Sequence, residues 1–443
     1  MLAFVVAMLP FGMLAAFALP SVGGFSLLAS HVGAAVLVGL VGLRAALDAI
    51  RGHRPQVPLE ALMLAIFAVY SVFAATVLVR LFEGQFDVFT LGRGATGVLV
   101  SFHFWSVLVP VGPTSSNISQ SAYILLTFLF FVAATSVLRK TGFAFAERWL
   151  RIAAITNIAL GVLDFIGLDA LLAPLRTASF ALANNQVLAG LPRVIGGFPE
   201  PSSYGAFTAA IFAYFCSCYL YSGRRIDGLV ALGSFILVIM STAATAFAAL
   251  GAVLLILLWR VRATLYASFR RDYAMVGGVV LCIGIAITSS AVIATPVPDL
   301  IERIFLESVV NKAVSESGLE RGAWAANGIE AFWRTYGLGV GVGSLRSNGI
   351  LSVLLGSVGL PGLLAFGAFL ALAFLRPMPK WASGEARRAH SAAYTAAVAV
   401  VAAMLVSATT PDPGLLLVLL AAIALTARSQ TSLSVHERGT SQH

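Results

Sequence analysis

Long apolar runs follow one another along the whole chain and are separated by short polar connections. A helix of about 20 apolar residues is long enough to cross a hydrocarbon core of about 30 Å. We therefore predict an all-α, polytopic membrane protein with about 12 transmembrane helices. The runs extend over residues 2–19, 25–47, 59–79, 119–138, 148–168, 203–222, 226–241, 243–259, 273–294, 349–375, 390–408 and 413–427.

The composition supports this interpretation, because hydrophobic residues make up 59% of the 443 positions and charged residues only 11%. A soluble chain of this length covers its surface with far more charge. The formal net charge of +9 gathers in the short connections, and the positive-inside rule places such Lys and Arg residues in the cytoplasm. The charge therefore indicates orientation in an inner membrane, with both termini cytoplasmic, and no binding to nucleic acid.

The basic connections also decide how residues 94–112 are interpreted. If this segment crossed the membrane, Arg139 and Lys140 would lie on the outer side, against the positive-inside rule. We therefore predict a re-entrant or interfacial segment, with His103 and Trp105 near the outer surface. The cytoplasmic connections are expected to carry Arg44, Arg51, Arg54, Arg139, Lys140, Arg224, Arg225, Arg260, Arg262, Arg270, Arg271, Arg376, Lys380, Arg387 and Arg388.

Two long segments then remain on the predicted outer, periplasmic face. They extend over residues 169–203 and 295–348. A simple connection needs only a few residues, so loops of this length usually carry a function. The prediction is a single transmembrane domain over residues 1–428, followed by a disordered cytoplasmic tail over residues 429–443.

The first loop contains Arg176 and a stretch from Arg193 to Tyr204 that is rich in glycine and proline. Glycine and proline prevent a regular helix here and fix a bend where the chain re-enters the membrane at Tyr204. The bend would hold Arg193 and Glu200 at the level of the lipid headgroups. The alternative is an ordinary arginine reaching to the interface and an acid at a helix start.

The second loop contains Glu320 and Arg321, a short amphipathic helix over residues 323–332, and a glycine-rich stretch that leads to Arg346 and Asn348. Repeated glycine lets backbone amides approach an anion, so this stretch is a candidate phosphate-binding turn. It lacks the GxxxxGK[ST] pattern of nucleotide loops. The alternative is a glycine-rich hinge beside an arginine at the membrane surface.

The chemistry of these loops favours phosphate recognition by arginine. The outer segments contain no HExxH motif, no His/Cys cluster and no DxD pair, so we expect no metal and no cofactor. Guanidinium groups bind phosphate oxygens bidentately and stay charged at any relevant pH. The candidate set is Arg176, Arg193, Arg321 and Arg346.

Four stretches of the sequence resemble, in the same order, motifs of one known family. Ser115-Ser-Asn-Ile-Ser-Gln-Ser-Ala-Tyr123 resembles its S-N-[IV]-[ST]-Q-x-x-Y segment, and Arg193 to Tyr204 resembles its first outer-loop motif. Met240 to Phe247 is similar to its hydroxyl-rich turn, and Glu320 to Gly362 resembles its second outer loop. The family is the Wzy-type exopolysaccharide and O-antigen polymerases, in the O-antigen polymerase and ligase superfamily. The resemblance implies a fold related to the GT-C membrane glycosyltransferases.

This resemblance implies a glycosyltransferase that polymerises oligosaccharide repeat units linked to undecaprenyl pyrophosphate at the periplasmic face. We expect a metal-independent, inverting reaction in which Arg193 and Arg321 neutralise the leaving pyrophosphate. Glu200, or alternatively Glu320, would activate the acceptor hydroxyl as general base. The expected partners are the lipid-linked glycan, membrane lipid, a flippase and a chain-length regulator. The residues assigned to substrate binding are Arg176, Arg346, Glu320, Tyr204 and Asn348.

Three alternatives remain open at this point: a ligase, a transporter, and a non-catalytic scaffold of an export complex, which would not need four outer arginines. Ligases of the superfamily usually carry a histidine in the second outer loop, whereas residues 295–348 contain none, which favours a polymerase over a ligase. A transporter of lipid-linked oligosaccharide would have a similar number of helices. Transporters, however, place ionisable residues at mid-span and use broken helices, whereas most charges here fall at the ends of the predicted spans.

Overall fold

The computed structural model describes a mostly helical chain. Among the residues that the structure describes, six helices are long and apolar enough to cross a membrane. We conclude that the chain is an all-α membrane protein. These six are Ala29–Ile50, Leu59–Leu81, Ser115–Thr141, Pro201–Ser222, Ile350–Leu375 and Gly384–Ser407. The residues described are 1–19, 25–52, 57–91, 98–99, 107–178, 182, 187–188, 191–265 and 315–440.

The elements are numbered in chain order within these ranges. The helices are α1 (Leu2–Met8), α2 (Ala29–Ile50), α3 (Leu59–Phe73), α4 (Val79–Leu81), α5 (Ser115–Thr141), α6 (Phe143–Phe165), α7 (Asp169–Leu172), α8 (Pro201–Ser222), α9 (Arg225–Met240), α10 (Ala244–Leu265), α11 (Glu316–Arg334), α12 (Ile350–Leu370), α13 (Gly384–Ser407) and α14 (Gly414–Thr440). The strands are β1 (Ala15–Leu19), β2 (Phe25–Leu28), β3 (Asp87–Phe89), β4 (Val98–Leu99), β5 (Val107–Pro110), β6 (Val187–Leu188) and β7 (Leu191–Pro192). A π-helical turn, Ala74–Leu78, joins α3 to α4, another, Ala371–Leu375, follows α12, and a 3-10 turn, Ala173–Leu175, follows α7.

The predicted spans that begin at residues 25, 59, 119, 203, 349 and 390 are confirmed as long apolar helices. The predicted span over residues 273–294 lies outside the described residues. The span predicted over residues 2–19 is wrong as a continuous helix. Helix α1 ends at Met8, and β1 then pairs with β2 in an antiparallel hairpin. Pro10 lacks the N–H that a continuing helix needs, and a hydropathy pattern does not register that loss.

Helix α14 continues to Thr440 and so includes most of the tail for which we predict disorder. The sequence from Ser429 to Arg438 contains neither proline nor glycine, so nothing in it interrupts a helix begun in the apolar run.

Helix α8 lies at the centre of the bundle, and 78% of the most apolar segment of this helix is buried. It packs against α9, α10 and α13. Its large side chains Tyr204, Tyr214 and Phe215 are fully buried. Helix α13 presents buried alanines, among them Ala389 and Ala392, and such small residues let two helices approach closely within a membrane. The core therefore fixes the position of the loop that precedes α8.

The two ends of the bundle differ in chemistry. We call one end the loop face, because it carries the connections that precede α5, α8 and α12 and the turn between α9 and α10. We call the other end the basic face. Buried ion pairs close it, and the pairs there are Arg388–Glu147 (2.7 Å), Arg151–Asp227 (2.8 Å) and Arg428–Glu60 (2.9 Å).

Residues 82–114 begin and end at the loop face. The Gly84 amide donates to the Val111 carbonyl at 2.8 Å, and β5 lies between β3 and β4 in an antiparallel sheet. The described parts of this connection are thus strands at one end of the bundle. His103 and Trp105 lie outside the described residues.

Candidate functional site

The loop that precedes α8 is held by a carboxylate from the last turn of α6. Asp164 accepts hydrogen bonds from the backbone amides of Ile195 (2.7 Å) and Gly196 (3.2 Å). Arg176 pairs with the same carboxylate and donates to the Gly196 carbonyl at 2.7 Å and 3.1 Å. A carboxylate at a helix C-terminus is unfavourable by itself, so the arginine and the two amides compensate for its position. Asp164 and Arg176 together fix the bend in the chain.

The structure corrects the role predicted for Arg176. Its side chain is only 3% exposed, and its guanidinium is engaged by Asp164, Asp169 and the Gly196 carbonyl. A side chain enclosed in this way is not accessible to a pyrophosphate, whereas Arg193 is only half-buried. Arg176 is a residue that positions the loop, and Asp164, its partner, was not identified from the sequence. The signal that could have revealed Asp164 is an acid placed at the unfavourable end of a predicted helix.

Arg193 reaches from this loop to the turn between α9 and α10. Its guanidinium donates to the hydroxyl of Thr242 at 3.1 Å, to the Thr242 carbonyl at 3.2 Å and to the Ser241 carbonyl at 3.4 Å. Thr242 has a φ of 45°, in the left-handed region that side chains disfavour, so this turn is held in an unusual conformation. The hydroxyl-rich turn that the sequence places within Met240 to Phe247 therefore binds the Arg193 side chain.

Glu200 lies at the start of α8, where the helix dipole stabilises a negative charge. Its carboxylate accepts hydrogen bonds from the hydroxyls of Ser202 and Ser203, and the side chain is half-buried. Pro201 occupies the first helical position, where its missing N–H costs nothing. Residues next to Glu200 in the sequence are thus sufficient to hold its carboxylate at the loop face.

Two charged groups lie within electrostatic range of Arg193, namely Glu200 from the same loop and Arg321 from a distant segment. Burial lowers the pKa of the Arg193 guanidinium, the nearby Glu200 carboxylate raises it, and the positive charge of Arg321 lowers it. Arg321 comes from α11, more than a hundred residues further along the chain. The fold therefore brings the two predicted outer loops together around Arg193, Glu200 and Arg321.

Arg346 contacts α11 through Trp324, which lies one turn of the helix after Arg321. Trp324 follows Arg321 by three residues on α11, so both side chains project from the same face of that helix. The guanidinium of Arg346 stacks over the Trp324 ring at 4.9 Å. Arg321 is half-buried and makes no hydrogen bond or ion pair in the part of the chain that the structure describes. We call Arg193, Arg321 and Arg346 the arginine cluster.

The glycine-rich stretch between α11 and α12 does not form the predicted anion-binding turn. Its amides are used inside the protein, since Val340 donates to the Gly356 carbonyl at 2.9 Å and Gly341 donates to the Ser357 carbonyl at 2.8 Å. A Cβ on Gly341 would lie 2.6 Å from the Ala74 carbonyl oxygen. The glycines allow a buried, irregular segment of the backbone to pass between neighbouring helices. Their role is close packing, and it differs from both predictions.

Two residues assigned to substrate binding support the frame of the site. Tyr204 is fully buried, and its hydroxyl donates to the Asn157 carbonyl at 3.4 Å. The Asn348 side chain donates to the Val406 carbonyl at 2.9 Å and so ties the start of α12 to α13. Glu320 is half-buried on α11, next to Arg321, and stays a candidate for contact with substrate.

The Ser115–Tyr123 motif connects α5 to the glycine-rich stretch. The Asn117 side chain donates to the Val342 carbonyl and to the Ser344 hydroxyl, each at 2.7 Å. It also accepts a hydrogen bond from the backbone amide of Thr114 at 2.6 Å, which caps α5. The motif residue Asn117 thus holds the stretch that leads to Arg346.

A groove opens beside this motif at the loop face. It has a volume of about 560 Å³ and lies between the π-helical turn and α5. Ala75, Ile118 and Leu125 contribute apolar surface to it, and Arg80 and Thr114 also line it. π-Helical turns in α-helices are frequently found at functional sites. The groove is a candidate binding surface for a lipid chain.

Comparison with known proteins supplies no second line of evidence for this site. Neither a family model nor a curated protein matches this chain. Function has to be argued from the arginine cluster itself. Among the residues that the structure describes, no group of three His, Cys, Asp or Glu side chains could hold a metal ion.

Proposed function

We propose that the protein is a glycosyltransferase that polymerises oligosaccharide repeat units linked to undecaprenyl pyrophosphate into exopolysaccharide or O-antigen. In this proposal the loop face is the periplasmic face of a bacterial inner membrane. The observation that carries the proposal is the convergence of Arg193, Glu200 and Arg321, from two distant loops, at one end of the bundle. The order of the family-like motifs in the sequence supports the same assignment.

The arginine cluster suits the leaving group of this reaction. No nucleotide is available outside the inner membrane, so the donor has to carry its own activated bond. When the bond between the anomeric carbon and the phosphate oxygen breaks, negative charge develops on the pyrophosphate. Arg193 and Arg321 neutralise it, with Arg346 beside them. One well-placed donor of this kind is worth about 3–4 kcal/mol, or roughly 10²–10³ in rate.

Glu200 supplies the base for the other half of the reaction. The acceptor hydroxyl forms a bond to the anomeric carbon and gives its proton to the Glu200 carboxylate. Attack opposite the leaving pyrophosphate inverts the configuration at that carbon. The Ser202 and Ser203 hydroxyls hold the carboxylate in place before the reaction. Glu320 is the alternative base on α11.

The groove at the π-helical turn is suited to the polyprenyl chain. Its apolar surface provides affinity in proportion to the area removed from other contacts and requires no sequence motif. Arg80 lies at the end of α4, at the loop face, where the phosphate of a lipid in that leaflet would lie. The lipid would reach the arginine cluster from the side of the bundle.

The decisive experiment uses purified protein with lipid-pyrophosphate repeat units and no added metal or ATP. The expected product is a ladder of polymers, whereas a single transfer to an added acceptor would indicate a ligase. Arg321→Ala should reduce the rate by about 10²–10³, because one charge donor is lost. Arg334→Ala is the matched control, since Arg334 lies on the same helix and is 60% exposed. Wild-type ladder formation by the Arg321→Ala protein would overturn the proposal.

A further inference from the structure

A second groove lies at the basic face, away from the arginine cluster. It has a volume of about 590 Å³ and is bounded by α2, α5 and the start of α3. Its volume falls in the range of about 300–1,000 Å³ that is usual for ligand sites. We call it the α2–α5 groove. Nothing in the proposed reaction uses it.

The α2–α5 groove changes in character along its length. Leu37 and Phe131 line its inner part, whereas Arg44 and Lys140 line the part nearest the basic face. At 1.5 Å per residue, the distance along α2 from Leu37 to Asp48 is about 16 Å, close to the hydrocarbon thickness of one leaflet. The groove therefore offers apolar surface at the depth of acyl chains and positive charge at the depth of headgroups.

The charges at the mouth of the groove favour an anion. Three cations, Arg44, Arg139 and Lys140, line it together with one acid, Asp48. The positive-inside rule alone accounts for cations at this end of the bundle. It does not account for their placement on two helices on either side of an apolar groove. Basic pockets between transmembrane helices are suited to phosphate headgroups.

We propose that the α2–α5 groove binds an anionic glycerophospholipid of the leaflet at the basic face. One acyl chain lies along α2 and α5, and the phosphate contacts Arg44 and Lys140. Phosphatidylcholine fits the apolar part equally well, but its choline group brings a positive charge to the cationic mouth. The proposal concerns a different leaflet from the proposed reaction and does not depend on it.

Native mass spectrometry of the purified protein tests this assignment, with phosphatidylglycerol and phosphatidylcholine added in equal amounts. The wild-type protein should retain phosphatidylglycerol preferentially. Removing both cations, in Arg44→Gln/Lys140→Gln, should weaken that binding about 30-fold, which corresponds to about 2 kcal/mol. Val132→Trp should also reduce binding without changing charge, because Val132 lines the groove and the larger ring fills it.

The matched control is Arg224→Gln/Arg225→Gln, which removes two exposed charges from the same face outside the groove. This protein should bind phosphatidylglycerol as the wild type does. An equal loss in the control would show general surface attraction and would overturn the proposal. Equal retention of the two lipids by the wild-type protein would also overturn it, whether or not the variants fold. Displacement of phosphatidylglycerol by lower concentrations of undecaprenyl phosphate would assign the groove to that lipid instead.

Discussion

The carboxylate of Asp164 is the most informative position to change, because it holds the bend that presents Arg193 and Glu200. Asp164→Asn keeps the shape of the side chain and removes its charge. In the wild-type protein the Asp164 carboxylate accepts hydrogen bonds from two backbone amides and pairs with Arg176. The aspartate side chain is 8% exposed and the arginine side chain 3%. The substitution leaves Arg176 buried with a weaker partner.

The size of the effect follows from these contacts. Removing one member of a buried ion pair costs about 3–5 kcal/mol. Asp169 still pairs with Arg176 at 3.0 Å, but it is 62% exposed and compensates only weakly. We expect a loss of about 3 kcal/mol in the free energy of unfolding. A displacement of the loop by about 1 Å would reduce polymerisation about 10²-fold.

Two assays separate stability from chemistry. Unfolding by SDS titration in bicelles measures the free energy, and the polymer ladder measures the rate. Asp169→Asn is the matched control, because this exposed acid contacts the same arginine and should cost less than about 1 kcal/mol. The double variant Asp164→Asn/Arg176→Gln removes both charges and should be more stable than the sum of the single losses predicts. Wild-type stability and wild-type ladders in Asp164→Asn would refute the reasoning.

Two further predictions concern packing. Gly341→Ala should prevent accumulation of folded protein, because the added Cβ would lie 2.6 Å from the Ala74 carbonyl oxygen and Gly341 has a φ of +94°. The control Gly322→Ala, whose Cβ would have no atom within 4 Å, should accumulate normally. Fluorescence-detected size exclusion compares the two proteins, and equal recovery would contradict the packing role. Glu147→Gln should lower the thermal unfolding temperature by leaving Arg388 buried, with a loss of about 3–5 kcal/mol, and an unchanged temperature would show that the ion pair is not needed for stability.

The membrane helices could largely be predicted from the sequence, because the length of an apolar run and the thickness of a bilayer decide them locally. The run predicted at 349–375 and the helix that ends at Leu375 agree closely. The first run failed because Pro10 acts on the backbone without changing hydrophobicity. Hydropathy does not distinguish a helix from a hairpin over the same apolar residues.

The site was only partly predictable, for a physical reason. Arg193 and Glu200 lie in a stretch whose glycines and prolines already exclude a regular helix, so the sequence could single them out as candidates. Arg176 looked equivalent, because the residues that enclose it were not recognised. Asp164 comes from the preceding helix, and its significance depends on three-dimensional contacts. Whether an arginine faces a ligand or an internal carboxylate is decided by those contacts.

The glycine-rich stretch also has a consequence for the order of assembly. Its partners Ala74 and Asn117 are synthesised more than two hundred residues before it. Helices α3 and α5 therefore enter the bilayer while the slot between them is still empty. Arg346 reaches its place only after this stretch, which belongs to the last third of the polypeptide, has left the ribosome and filled the slot. The end of the bundle that carries the arginine cluster is therefore completed late in synthesis.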